Sequence, residues 1–208
     1  MSRTFNIPKK PYDNAILYKK KEVTIEPGVT VFAGCNGAGK TTLLLEIKEQ
    51  LRRANIPCFS FDNRTEGGSS SVSKAGFYGH MDLLAALVVS SEGEQIMTNL
   101  GEQAAAIGSF MRKHGGSEEV WILFDAVDSG FSIDNIVELK ELLFKTILED
   151  SCGRDIYIVC TANSYEMCNG ENCFDVYKGE YTKFKDYEAY KAFILASRKQ
   201  KDKRYNKN

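Results

Sequence analysis

The chain lacks any apolar run long enough to cross a bilayer. Its longest, over 83–89, falls far short of the ~20 residues a membrane helix needs. The first residues, Met1-Ser2-Arg3-Thr4-Phe5-Asn6, carry no apolar signal region. These two lacks predict a cytoplasmic protein that meets a membrane only through another chain. Net charge is also nearly absent, −1 over 208 residues, so no global field advertises nucleic acid. None of the six cysteines forms a C-x-x-C pair, and a reduced set of thiols is expected rather than a disulfide framework. Cys168 and Cys173, five apart, are a weak zinc signal, with only His80 and His114 as further soft ligands; a loop of free thiols is the ordinary reading. There is no internal repeat and no linker-like stretch, so one domain over 1–208 is the default at this length.

What is present centres on Gly34-Cys35-Asn36-Gly37-Ala38-Gly39-Lys40-Thr41-Thr42. It fits G-x-x-x-x-G-K-[ST], the P-loop that cradles phosphates. An apolar run over 29–33 predicts a strand before it, and Thr42-Leu43-Leu44-Leu45-Glu46-Ile47 begins a helix after it. Glycines let the backbone approach a phosphate closely, and the N–H groups at the helix start face it with partial positive charge. In this motif Lys40 reaches the β- and γ-phosphates and Thr41 holds Mg²⁺. A nucleoside triphosphate with Mg²⁺ is therefore the expected ligand of Gly34, Asn36, Gly37, Ala38, Gly39, Lys40, Thr41 and Thr42; the resemblance drawn below narrows it to ATP.

In chain order, 15–20 and 22–25 read as short strands, an N-terminal antiparallel β-meander turning at Pro27-Gly28 into the strand that feeds the loop. Tyr12 or Tyr18 would stack on an adenine from there, although an aromatic on a half-buried sheet is the commoner case. The helix after the loop runs to about Arg53 on an apolar face of Leu43, Leu44, Ile47 and Leu51. A strand is expected over 56–61, a Gly/Ser-rich surface loop holding Arg64 over 62–73, and a buried helix over 77–89. Ser91-x-x-Glu94 opens a helix to about Lys113; it is a capping box, which needs no function, or a helix N-terminus facing an anion. Val120-Trp121-Ile122-Leu123-Phe124-Asp125 is an apolar strand ending in an acid, the Walker B pattern that meets the metal. Ser132 caps the next helix, with Asp134 in its first turn. It runs to about Glu149 with Ile136, Val137, Leu143, Phe144, Ile147 and Leu148 apolar. A strand over 156–160 leads into Thr161-Ala162-Asn163, a hairpin turns at Lys178-Gly179, and Asp186 caps a last helix bearing Tyr187, Tyr190, Phe193 and Ile194. The basic stretch from Arg198 reads as a solvated tail, with nucleic-acid contact as the alternative.

Loop, Ser-rich helix start and acid-ended strand stand in an order that resembles the ABC-type ATPase superfamily, nearest its RecF/SMC-like soluble branch. Asn36-Gly37 looks like the G-x-N-G-x-G-K form of that group, and Ser91-Glu92-Gly93-Glu94 looks like its S-x-G-E signature variant. The run from Asp125 through Asp134 is similar to its Walker B and D-loop, and Asn163 stands in the place of the switch histidine. The likeness covers about 15–166 and is similar in pattern to small stand-alone ATPases of phages and bacteria. It implies an α/β fold, a P-loop NTPase core sheet with flanking helices, and two heads that dimerise face to face around ATP. Ser91, the Gly93 backbone and Glu94 of one head would then complete the site at Lys40 of the other. Two departures bear on turnover. The glutamate that follows the Walker B acid in the family is Ala126 here, which does no acid–base work. Asp128 either substitutes or belongs to the D-loop. Asn163 donates a hydrogen bond but carries no proton. The resemblance thus implies a slow ATPase with Asp125, Asp128 and Asn163 at the reacting end; a non-hydrolysing ATP-dependent switch and a P-loop kinase are the alternatives. DNA, or an unidentified protein, is the partner expected by analogy.

Overall fold

The computed structural model describes residues 1–8, 16–63 and 104–205. Two sheets are formed among them. The smaller pairs β1 (Arg3–Asn6) antiparallel to β2 (Glu22–Ile25), with Phe5 opposite Val23. This corrects the expectation of a strand over 15–20: described residues 16–20 are not a strand, and the partner of β2 is the very start of the chain. That pairing is non-local and leaves only Phe5 as an apolar clue, so period alone favours the wrong stretch.

The larger sheet has six strands in the order β4-β5-β6-β3-β7-β8: β3 (Gly28–Ala33), β4 (Cys58–Asp62), β5 (Glu119–Asp125), β6 (Asp155–Thr161), β7 (Asn172–Asp175) and β8 (Glu180–Thr182). All neighbouring pairs are parallel except β7–β8, which closes antiparallel. The architecture is therefore α/β with a mixed sheet. A sheet covered on both faces needs apolar residues at both phases of its alternation. In β5, Val120, Ile122 and Phe124 face one core while Trp121 and Leu123 face the other. Helix α1 (Lys40–Arg53) covers the second face with Leu43, Leu44, Ile47 and Leu51, all buried. The β1–β2 ribbon packs beside it, Phe5 meeting Trp121 edge-on at 5.2 Å between ring centres. Full burial stabilises each such side chain by about 1.5–3 kcal/mol.

The first face is covered by a helical segment over 104–113, by the helices after β5, and by α4 (Tyr165–Cys168). Between β5 and β6 the chain is α-helical over α2 (Ile133–Glu138), π-helical over Leu139–Phe144, and α-helical again over α3 (Lys145–Glu149). The buried positions are Ile136, Leu139, Phe144 and Ile147. The step of five between Leu139 and Phe144 is the extra residue of a wide turn, so Phe144 is fully buried where Leu143 is only half-buried; Val137, expected inside, is 44% exposed. Ser132 sits at the N-cap, but its hydroxyl bonds the Asn135 side chain at 2.8 Å rather than a backbone N–H. Asp186 does cap α5 (Tyr187–Tyr205), accepting from Ala189 N at 2.8 Å. The expected solvated tail from Arg198 is a correction of substance: residues 198–205 continue α5, which lies against the rest of the molecule.

Candidate functional site

Parallel strands carry their ligands beyond their carboxyl ends, where neighbouring connections diverge to opposite sides. Here β3 lies between β6 and β7. The loops after β3, β5 and β6 therefore open on one edge, and they bring together Lys40, Thr41, Asp125 and Asn163. A cavity of about 490 Å³ lies among them, lined by loop residues 36–42 and by Asp125, Ala126, Ser129, Thr161 and Asn163. That volume suits a small-molecule ligand.

The loop after β3 closes on itself, Ala38 N donating to Cys35 O at 3.0 Å. Gly39 is the N-cap of α1 at φ 103°, and no side chain caps the helix. A Cβ at Gly39 would stand 3.1 Å from the Tyr18 hydroxyl and 3.3 Å from Leu17, so a side chain there would be crowded by those two residues as well as strained by φ. Tyr18 is 1% exposed and donates to Gly39 O at 2.8 Å. It is a buried brace for the loop and offers no face for adenine stacking, so the commoner reading of a packed aromatic is the one met, though in a non-strand segment; Tyr12 lies outside the described residues. The result is an α1 N-terminus with no capping side chain, held open at the cavity, where partial positive charge gathers.

Lys40 is buried. Its Nζ donates to Gly34 O at 2.7 Å, Cys35 O at 3.3 Å and Asn163 Oδ1 at 2.9 Å. Burial holds its pKa below the ordinary 10.5, against the opposing pull of nearby acidic groups, Asp128 and Asp125 among them. A buried cation resting on neutral carbonyls has much to gain from an anion. Across the cavity, Asp125 Oδ1 accepts from Thr41 Oγ1 at 3.0 Å and from Thr161 Oγ1 at 2.5 Å. Thr161 also accepts from Ala126 N at 2.8 Å. Thr161 lies in β6 beside β5 and carries no sequence signal, since a lone threonine at a strand end fits no spacing rule.

Ala126 adopts φ +52°, a left-handed conformation uncommon for a residue with a Cβ. Its carbonyl accepts from Asn63 Nδ2 at 3.2 Å and from Ser129 N at 3.0 Å. Asn63, just past β4, was invisible to sequence reasoning for the same reason as Thr161. Asp128 is 8% exposed and its Oδ2 accepts from Asn163 N at 2.7 Å and Ser164 N at 2.6 Å. Its Oδ1 has no hydrogen-bond partner among the described residues. Asp128 does not line the cavity; it tethers the loop that presents Asn163. Ser91, Gly93 and Glu94 lie outside the described residues, as does Arg64. Cys35 is 6% exposed and packs in the α1 core. Cys168 and Cys173 are buried, the Cys173 thiol facing Cys168 O at 3.4 Å. No group of three or more His, Cys, Asp or Glu able to hold a metal occurs among the described residues. No helix among them is long and apolar enough to cross a membrane.

The family model of the MukB N-terminal domain matches residues 14–106, somewhat less than half of the chain. The matched stretch holds the loop after β3, α1 and the segment with Ser91, Gly93 and Glu94. It relates this part of the chain to the SMC-like proteins. No curated protein matches the chain.

Proposed function

We propose that this chain binds ATP with Mg²⁺ at the N-terminus of α1, and that ATP brings two copies together in the manner of a soluble ABC-type ATPase. The observation that carries the reading is the buried Lys40 at an uncapped helix start, across one cavity from the Thr41–Asp125 pair. In it, the N–H groups of Asn36, Gly37, Ala38, Gly39, Lys40, Thr41 and Thr42 and the Lys40 ammonium bind the phosphates. Gly34 supplies the bend into the loop.

The donor chemistry fits Mg²⁺. Thr41 and Asp125 are hard oxygen ligands side by side, and Mg²⁺ characteristically takes one or two protein oxygens, leaving the rest to phosphates and water. Bound there, Mg²⁺ would neutralise phosphate charge. Thr161 orients Asp125 for that role. Asp128 is a positioning residue that fixes the Asn163 loop, and the Asn163 amide meets the terminal phosphate. Ala126 offers no base, so the reading includes slow hydrolysis.

Ser91, Gly93 and Glu94 complete the partner copy's site in trans, and chromosomal DNA is the macromolecular partner most in keeping with the SMC-like match. Light scattering with and without ATP and Mg²⁺ tests the dimer: doubling of mass on ATP supports it, and a monomer at saturating ATP overturns it. A second reading, an ATP-dependent switch without turnover, is favoured by Ala126 and by the commitment of Asp128 Oδ2 to backbone. Steady-state phosphate release separates the two. Turnover that vanishes in Lys40→Ala indicates the enzyme; tight binding without turnover indicates the switch.

A further inference from the structure

Helix α5 lays one face along the loop after β3. Tyr190 donates to Asn163 O at 2.6 Å, Ser197 Oγ accepts from Cys35 N at 3.1 Å, and Arg204 donates to Leu17 O at 3.0 Å. Positions 190, 194, 197, 198 and 201 recur at three- and four-residue steps, so they share that face. Between the helix and the loop lies a second cavity of about 390 Å³, bounded by Asn36, Asn163, Ile194, Arg198 and Lys201. Asn36 and Asn163 also line the cavity at Lys40, so the two spaces share a wall.

The second cavity carries two cations and no carboxylate in its lining. Arg198 makes no ion pair among the described residues, and Lys201 has only Asp202 at 3.7 Å, half exposed and on the adjoining residue. Like charges three residues apart on a helix repel. An anion between them turns that repulsion into attraction. Lys201 also lies over the loop: a Cβ added at Gly37, where φ is +78°, would stand 3.3 Å from its Cδ. A solvated basic tail would make none of these contacts.

We propose that Arg198 and Lys201 form an anion site supplied by the same chain, which takes a phosphoryl group next to the Lys40 cavity. The group is either the terminal phosphate of bound ATP or the inorganic phosphate released from it. The inference rests on the nucleotide reading above and adds to Lys40 two further cations, which lie outside the P-loop motif. Ser197 and Tyr190 act as positioning residues that hold α5 in place.

The test is calorimetric titration of the full chain with ADP, with a non-hydrolysable ATP analogue, and with inorganic phosphate added to the ADP complex, all with Mg²⁺. Wild type is compared with the double variant Arg198→Gln/Lys201→Gln and with the charge-keeping Arg198→Lys/Lys201→Arg. If the site holds the terminal phosphate, the glutamine variant loses at least about tenfold in affinity for the analogue and less than about twofold for ADP. If it holds released phosphate, the tenfold loss falls on inorganic phosphate and the analogue is unchanged. Either pattern, with recovery in the charge-keeping variant, supports the site and names its ligand. Equal losses for all three ligands, or none, overturn it while leaving the nucleotide reading intact. Absence of all binding in wild type removes the nucleotide reading and the second site together.

Discussion

Lys40 sets the chemistry at the scale of single residues. Burial lowers its pKa, so its charge is lost at a pH below the ordinary 10.5. An anion stabilises the charged form, and nucleotide affinity should therefore fall as pH rises through the lowered value. In the window between that value and 10.5 the unfolded chain binds the extra proton, so the nucleotide-free protein gains stability as pH rises there. Affinity and urea midpoint measured across that range check the two opposite slopes. Thr161 is the second test. Thr161→Val leaves Ala126 N without its acceptor and Asp125 without one donor. It should cost about 1–3 kcal/mol in equilibrium unfolding, and should weaken Mg²⁺-dependent binding more than Mg²⁺-independent binding. Ala126 is the third. At φ +52°, Ala126→Gly relieves a left-handed conformation, and a gain of about 1 kcal/mol in unfolding free energy is expected.

Among the elements, those that enclose the site were unequally legible in the sequence. As elements, the loop after β3, α1 and β5 could be read because their patterns are local: glycines up to Gly39 ahead of an amphipathic helix, and an unbroken apolar run ending at Asp125. The strand β2 and its antiparallel setting could be read too, but its partner β1 and the docking of α5 could not. They depend on partners far apart in the chain, Arg3 opposite Ile25 and Cys35 bonded to Ser197, which no local pattern encodes. The wide turn at Leu139–Phe144 was hidden for another reason: it breaks the 3.6-residue period on which the reading relied. The α5 contact yields its own prediction. Ser197→Ala removes the acceptor for the buried Cys35 N–H and should cost about 1–2 kcal/mol. Because Cys35 is buried beside it, its alkylation by a thiol reagent should speed up in the same variant, and bound nucleotide should slow it again.

For the whole molecule, the sheet separates two cores, and the edge between them carries the loop, the Asp125 strand end and the Asn163 turn. The α1 core, with the β1–β2 ribbon, holds the loop from one side, and α5 holds it from the other. Only the family match over 14–106 speaks to the segment that would complete a partner's site, so dimerisation and DNA stand on the proposal above. The most direct measurement is titration of the wild-type chain and of Lys40→Ala with ATP, with and without Mg²⁺. Saturable binding of one ATP per chain, strengthened by Mg²⁺ and weakened about 100-fold in the variant, is the predicted result. Absence of binding in wild type, or equal affinity in both proteins, would contradict the account.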